Sequence, residues 1–414
     1  MQGDNPTFYR DFAFNKTLNH GIGPNITFTR TGTATYFDAT GTLTTATANT
    51  PRFDHDPVTL ESRGLLIEES RTNSIRNSQA GGSTNGVIGS SGVMPTNWLV
   101  NSITGTGISY EVIGTGILNG FNYIDVKISG TNTSGSTVNA IIYTESFTQV
   151  VALQNQTWTS SGYIALVNGS FSGTSNQNIE ITERTSAGSF IGSTGSNIST
   201  SSASLQRFSA TRTFSAANAA RAHQRIITQI ADSNSCDFTL RIAAPQLEQG
   251  SFATSYIPTT NAAVSRGADA AVVTPISSFV TQTGDESLFA EFSAYTYGAT
   301  GAFPRIVQLD QGSTNTERYG PVIVQSASNV FITYAVNNVG QFGGNSSPTY
   351  SLNSIAKTAS GIAFNNARHA FNGVLIGADD TSITLRTSQN THLQIGSDKG
   401  TGIFLNGHIR KVTY

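Results

Sequence analysis

The chain has 414 residues, 37% of them hydrophobic and 12% charged, and its formal net charge is −2. A near-neutral balance leaves no basic footprint for nucleic acid, and no apolar run reaches the roughly 20 residues that cross a bilayer. A single cysteine, Cys236, excludes an internal disulfide framework.

Length alone predicts two to three domains, because single cores stop growing near roughly 250–300 residues. The charged fraction is about half the roughly 25% of an ordinary soluble domain. Glycine (41 residues), serine, threonine and asparagine fill the gap. That mixture suits short strands and tight turns, and disfavours long helices. Phenylalanine (23) and tyrosine (13) are spread along the chain, which argues against disorder. The N-terminal MQGDNPTFYRDF lacks the basic and apolar regions of a signal peptide, so folding in a cytoplasm is expected.

In residues 1–78, Phe12 and Phe14 alternate, and so does Ile26-Thr-Phe28-Thr-Arg30. Thr35-Tyr36-Phe37 and the turn Asp38-Ala-Thr-Gly41 follow. These pieces lack the apolar mass for a core of their own. They predict an extended, hairpin-rich segment that docks on a later domain or a neighbouring subunit. The segment ends in the one dense charge cluster of the chain, Pro51 to Ser78. Arg52, Asp54, Asp56, Glu61, Arg63, Glu68, Glu69, Arg71 and Arg76 surround the apolar run Leu65-Leu66-Ile67. Residues 79–96, rich in glycine and serine, read as a linker.

From 97 to 258 the pattern is continuous strand, at Ile108–Val112, Tyr123–Ile128, Ala140–Tyr143, Ser161–Val167, Ile179–Thr182, Gln206–Phe214, Arg225–Ile230 and Phe238–Ile242. Turn residues separate these runs, which is the signature of a β-sandwich. Ala216 to His223 has helical propensity for a brief turn at most. Residues 259–284 connect to a second sandwich over 285–414. Its strands are expected at Ser287–Phe292, Arg305–Leu309, Val322–Gln325, Val330–Val336, Ser360–Phe364, Ala370–Ile376, Ile383–Arg386, Leu393–Ile395, Ile403–Leu405 and His408–Thr413. Asn372-Gly373 and Asn406-Gly407 are turn dipeptides. The fold class is all-β, with two sandwiches in tandem behind the N-terminal docking segment.

Three segments resemble tailed-bacteriophage virion proteins. The run Ile26 to Thr72, with FTRTGTATYFDATGTL and NTPRFDHDPVTLESRGLLIEESRT, resembles their N-terminal region. Ala244 to Asp269, APQLEQGSFATSYIPTTNAAVSRGAD, resembles the end of a carbohydrate-binding-module-like jelly roll. Leu393 to Tyr414, with IGSDxGTGIFLNGHIRKVTY, resembles the last strands of a concanavalin/laminin-G-like sandwich. The resemblance implies a virion structural protein of the tail-fibre, spike or head-appendage kind, and a fibre- or spike-like appendage that contacts host surface glycans is expected. It also implies self-association as a homotrimer and contact with other virion proteins. Attachment would use either residues 1–78 or a sandwich surface. A capsid decoration or vertex protein is the alternative within the same class, and a polysaccharide-degrading enzyme with binding modules is the alternative outside it.

Chemistry is sparse. Asp54-His55-Asp56 before Pro57 has the residue types of a metal or acid–base site, but the proline and flanking arginines predict a turn with paired charges. Arg52, Asp54, Asp56, Arg63, Glu68, Glu69 and Arg71 are accordingly expected to pair with one another or across subunits. Replacing Arg63 and Arg71 is expected to disturb assembly more than glycan binding. None of the six histidines has a metal-site spacing. There is no nucleophile elbow, P-loop or dinucleotide fingerprint, so neither catalytic residues nor cofactors are expected. The candidates for stacking on a sugar ring are Trp98, Trp158, Tyr163, Tyr295 and Tyr297, with core packing as the competing role for each tryptophan.

Overall fold

The computed structural model describes residues 6–199, 203–280, 285–298, 303–312, 317–324, 328–337, 339–343, 347–386, 389–398 and 402–414. They are almost entirely β, in antiparallel sheets. The chain divides into two compact units. One joins Met1–Ser70 to Arg266–Tyr414, and the other is Arg71–Ser265.

The first unit is a sandwich of a nine-stranded and a seven-stranded sheet. The larger sheet is organised around the C-terminal strand Gly407–Thr413, which pairs along one edge with Glu286–Ala294. Its other edge is shared, with Tyr9–Asp11 against residues 411–413 and Ser62–Ile67 against residues 407–409. Ala356–Ala363, Asn366–Phe371 and Val374–Asp380 extend the sheet outward. Strand alternation explains the layering. Leu288, Ala290 and Phe292 point inward and are buried, while Glu291 and Ser293 point the other way. Leu65 and Ile67 add to the same core, which is closed from the second sheet by Val307, Leu309, Ile323, Ile332, Leu393 and Ile395. Full burial of each such side chain contributes roughly 1.5–3 kcal/mol.

Gly64 shows how tightly the N-terminal segment is fitted. Its φ is +94°, and a Cβ there would lie 2.4 Å from the Ile409 carbonyl oxygen. Only glycine lets the strand Ser62–Ile67 approach Gly407–Thr413 this closely.

The unit Arg71–Ser265 is a second sandwich. One sheet has the order Leu99–Val100, Val138–Tyr143, Arg221–Ile230, Thr174–Arg184, Phe190–Asn197. The other runs Gln206–Thr213, Thr157–Ser170, Ser235–Gln249, Phe121–Thr131, Ile108–Leu118, Gly86–Val87. Ile124, Val126, Ile128, Ile164, Phe238, Leu240 and Ile242 form the core between them, with Ala140, Ile142, Ile179 and Ile226 from the facing sheet.

The boundaries fall elsewhere than composition indicated. Residues 1–70 are strands and packing of the C-terminal sandwich, and residues 71–78 belong to the other unit. The expected linker 79–96 places Ala80 and Met94 in a core and supplies the strand Gly86–Val87. Small residues there allow close packing as well as flexibility, and composition does not separate the two. Ile383–Arg386 and Ile403–Leu405 lie outside the regular strands, although Ile383 and Leu405 are fully buried. Asn372 and Gly373 both take positive φ (48° and 84°), as a two-residue hairpin turn requires.

Candidate functional site

The charge cluster resolves into two parts. The first is a buried ion lattice. Arg52 is fully buried and donates to Glu68 Oε2 (2.8 Å), to Asp269 Oδ2 (2.5 Å) and to the Thr35 carbonyl (3.0 Å). Arg30 reaches Asp269 Oδ1 at 3.1 Å, Arg266 pairs with Glu68, and the Glu68 amide donates to Asp269 Oδ2. Three guanidinium groups thus share two carboxylates, all without solvent exposure. Burial alone would lower the Arg52 pKa, but Asp269 and Glu68 more than offset it and raise it. Arg30 goes the other way, because desolvation outweighs its one carboxylate partner. Removing one member of a buried group of this kind costs about 3–5 kcal/mol.

The second part faces a cleft on the outer side of the nine-stranded sheet. Asp56 lies in the turn between the strands Phe53–His55 and Ser62–Ile67. Its Oδ1 accepts from the amides of Val58 and Thr59, and its Oδ2 accepts from Arg63 at 2.5 Å. Burial would raise its pKa, but those two amides and Arg63 prevail and hold the carboxyl at about 2. Arg410 donates from Nε to Glu291 (2.7 Å) and from NH1 to the Ser62 carbonyl (2.5 Å). The cleft is lined by Asp56, Glu61, Ser62, Arg63, Ser293, Tyr295, Asn353, Ile355, His408 and Arg410, and encloses about 260 Å³.

Its floor is a polar chain. Ser293 and His408 face each other in register across two strands. His408 Nε2 lies 2.9 Å from Asp54 Oδ2 and 3.2 Å from the Tyr295 hydroxyl, and Nδ1 lies 3.4 Å from Ser293 Oγ. The Phe37 amide also donates to Asp54, at 2.8 Å. The Asp54 carboxylate accepts from Nε2. On the walls, the Glu61 carboxylate and the Asn353 carboxamide make no hydrogen bond to the described residues. They remain available to a ligand, beside the exposed apolar edge of Ile355.

Of the seven charge-cluster candidates, Arg52 and Glu68 belong to the lattice, and Asp54, Asp56 and Arg63 to the cleft. Glu69 exchanges two hydrogen bonds with the Asn406 carboxamide. Arg71 lies in the other unit, with its guanidinium 4.9 Å from the centre of the Phe252 ring. The charges are thus engaged within the chain, and Arg63, expected at an assembly contact, faces the cleft.

Three stacking candidates are withdrawn. Trp98, Trp158 and Tyr163 are only 6%, 5% and 8% exposed, so no ring face is open to a sugar. Trp98 Nε1 donates to the Asn77 carbonyl, and the Tyr163 ring lies 4.4 Å from that of Phe121. Tyr297 packs its ring edge-on to Tyr350 and donates to the Tyr350 carbonyl at 2.7 Å. Of the five candidates only Tyr295 lines the cleft, just beyond the strand end at Ala294.

Ser293, Asn353, His408 and Arg410 were not singled out from sequence as parts of a site. His408 and Arg410 carry one legible signal: they are the outward positions of a strand whose inward residues include Ile409. Among the described residues, no group of three or more histidine, cysteine, aspartate or glutamate side chains is arranged to hold a metal ion.

No family model matches the chain, and no curated protein matches it. Solved structures give distant likeness. An arabinose-bound α-L-arabinofuranosidase is 14% identical over 45% of this chain, with a TM-score of 0.31. The chain spans only 27% of that enzyme's length. The tripod from the baseplate of bacteriophage Tuc2009 is 11% identical over 86% of this chain and 100% of its own, with a TM-score of 0.30. The N-terminal CBM22 tandem domain of a Paenibacillus barcinonensis protein is 9% identical over 82% of this chain and 98% of its own, with a TM-score of 0.23. At such scores no function transfers from any of the three.

Proposed function

We propose that this chain is a non-enzymatic structural protein of a bacteriophage virion, a fibre- or spike-like appendage that contacts host surface glycan through the cleft of its first unit. The virion assignment rests on the resemblance of Ile26–Thr72, Ala244–Asp269 and Leu393–Tyr414 to such proteins. The glycan assignment rests on one observation, the makeup of the cleft. A free carboxylate, a free carboxamide and two guanidinium groups surround the space, next to the Tyr295 ring and the Ile355 side chain. Sugars need this combination, with polar groups for their hydroxyls and apolar surface for their C–H faces. At about 260 Å³ the cleft takes a terminal residue or a short stretch rather than a long chain.

One small cleft gives weak affinity. Self-association as a homotrimer, also proposed, would multiply it through avidity. The test has two arms. Immunogold electron microscopy of intact particles should label a tail appendage; label confined to the head would overturn the appendage reading. Purified full-length protein should bind host surface polysaccharide, and Asn353→Ala should weaken that binding without changing the melting temperature. Undiminished binding by the variant would remove the cleft from the function.

A further inference from the structure

We infer that the cleft selects uncharged glycans and rejects anionic ones, an inference that rests on the glycan reading above. The presence of Arg63 and Arg410 would at first sight favour an acidic sugar, since guanidinium groups are the usual partners of carboxylates and phosphates. Both, however, are already committed. Arg63 is held by Asp56 at 2.5 Å, and Arg410 by Glu291 at 2.7 Å and by the Ser62 carbonyl. Asp54, directly behind the floor, adds a further negative charge against His408.

The one wall charge without an ion partner is the Glu61 carboxylate. An anionic ligand would meet that carboxylate while finding each arginine already paired, Arg63 with Asp56 and Arg410 with Glu291, which Lys357 also approaches at 3.8 Å. It could reach the remaining guanidinium N–H groups, but with little net attraction, because the charge of each arginine is already compensated. A neutral polyol meets no such conflict. Its hydroxyls donate to Glu61, accept from the remaining guanidinium N–H groups, and do both with Asn353. Glu61 is exposed, so it acts as a gate by charge and not as a support of the fold. Specificity of this kind comes from the repulsive element as much as from the attractive ones.

The experiment is equilibrium binding of the full-length protein to matched oligosaccharides, one set neutral and one carrying uronic acids on the same backbone. Neutral oligosaccharides should bind at least about tenfold more tightly, and Glu61→Lys should reverse or abolish the preference. Glu61→Gln should narrow it by raising the affinity of the acidic set. Equal or tighter binding of the acidic set by the natural protein would overturn the inference and leave the glycan reading standing. Failure of both sets, with host polysaccharide also unbound, would overturn the glycan reading itself. Persistence of the neutral preference in Glu61→Lys would show that the gate lies elsewhere.

Discussion

Asp269→Asn is the sharpest test of the buried lattice. The natural carboxylate accepts from Arg30 through Oδ1, and from Arg52 and the Glu68 amide through Oδ2. An asparagine keeps one oxygen. If that oxygen takes the Oδ2 position, the new NH2 faces the Arg30 donor. If it takes the Oδ1 position, the NH2 faces both Arg52 and the Glu68 amide. Either way, three buried guanidinium groups are left with a single carboxylate, Glu68. The loss should be about 3–5 kcal/mol, a large part of the 5–15 kcal/mol that holds a domain together. At a urea dependence of about 2 kcal/mol per molar, the midpoint falls by about 2 M. Two optical probes locate the effect. Both tryptophans, Trp98 and Trp158, lie in the unit Arg71–Ser265. Tryptophan fluorescence therefore follows that unit, whereas circular dichroism follows both. The shift should appear in the dichroism transition and be absent from the fluorescence one. A dichroism shift below about 1 kcal/mol would refute the claim that these five charges depend on one another.

Three further outcomes follow from the geometry. Gly64→Ala should destabilise the first unit by about 2 kcal/mol or more, since it combines a positive-φ penalty with a clash against the Ile409 carbonyl; an unchanged melting temperature would contradict the close strand approach. Asp56 has a depressed folded-state pKa, so its contribution is fully present above its unfolded value near 4 and is lost as pH falls through about 2. Solvent screening reduces it to about 1 kcal/mol, so Asp56→Asn should cost about that much at pH 7 and clearly less near pH 2, measured by urea titration at both. Burial, opposed only in part by the Glu145 carbonyl, pushes His223 down to about 3. The unfolded chain then binds a proton that the folded one refuses, so the fluorescence-detected unit should lose stability on acidification between about pH 6.5 and 3, and His223→Phe should remove much of that dependence.

The fold was legible because alternation is a local signal. Most expected runs, such as Tyr123–Ile128 and Phe238–Ile242, lie inside an observed strand, whereas Ala370–Ile376 is split in two by the Asn372-Gly373 turn. The observed strands are longer because their outer ends carry polar residues that alternation on one face does not mark; Thr157–Ser170 ends in Asn-Gly-Ser. The division into units was not legible. Residues 1–70 lack apolar mass of their own because their core is completed by strands more than 200 positions later. Leu65 pairs with Ile409 and Phe28 with Ala271, and no local pattern encodes those partners.

The site was legible by half, and the half that failed has a physical reason. Charge density located Asp54, Asp56 and Arg63 because charged side chains in a chain this poor in charge must be compensated. It did not tell buried compensation from a ligand-facing wall. Arg52 and Arg63 are eleven positions apart in one cluster, yet one is sealed from water and the other is partly open to the cleft. What separates them is the second partner. Arg52 meets Asp269 at the start of the sandwich that completes its burial, and Arg63 meets only Asp56, at the exposed turn of its own hairpin. Stacking aromatics fail for the complementary reason. Trp98 and Trp158 carry the largest apolar surfaces in the chain, so burial claims them first, and the ring left for a ligand is the one just beyond a strand end. In a low-charge β-sandwich the places to seek a site are therefore strand ends and hairpin turns where a charge has found only a local partner; Asp56 and Arg63 meet that description, with Glu61 in the same turn and Tyr295 just beyond a strand end.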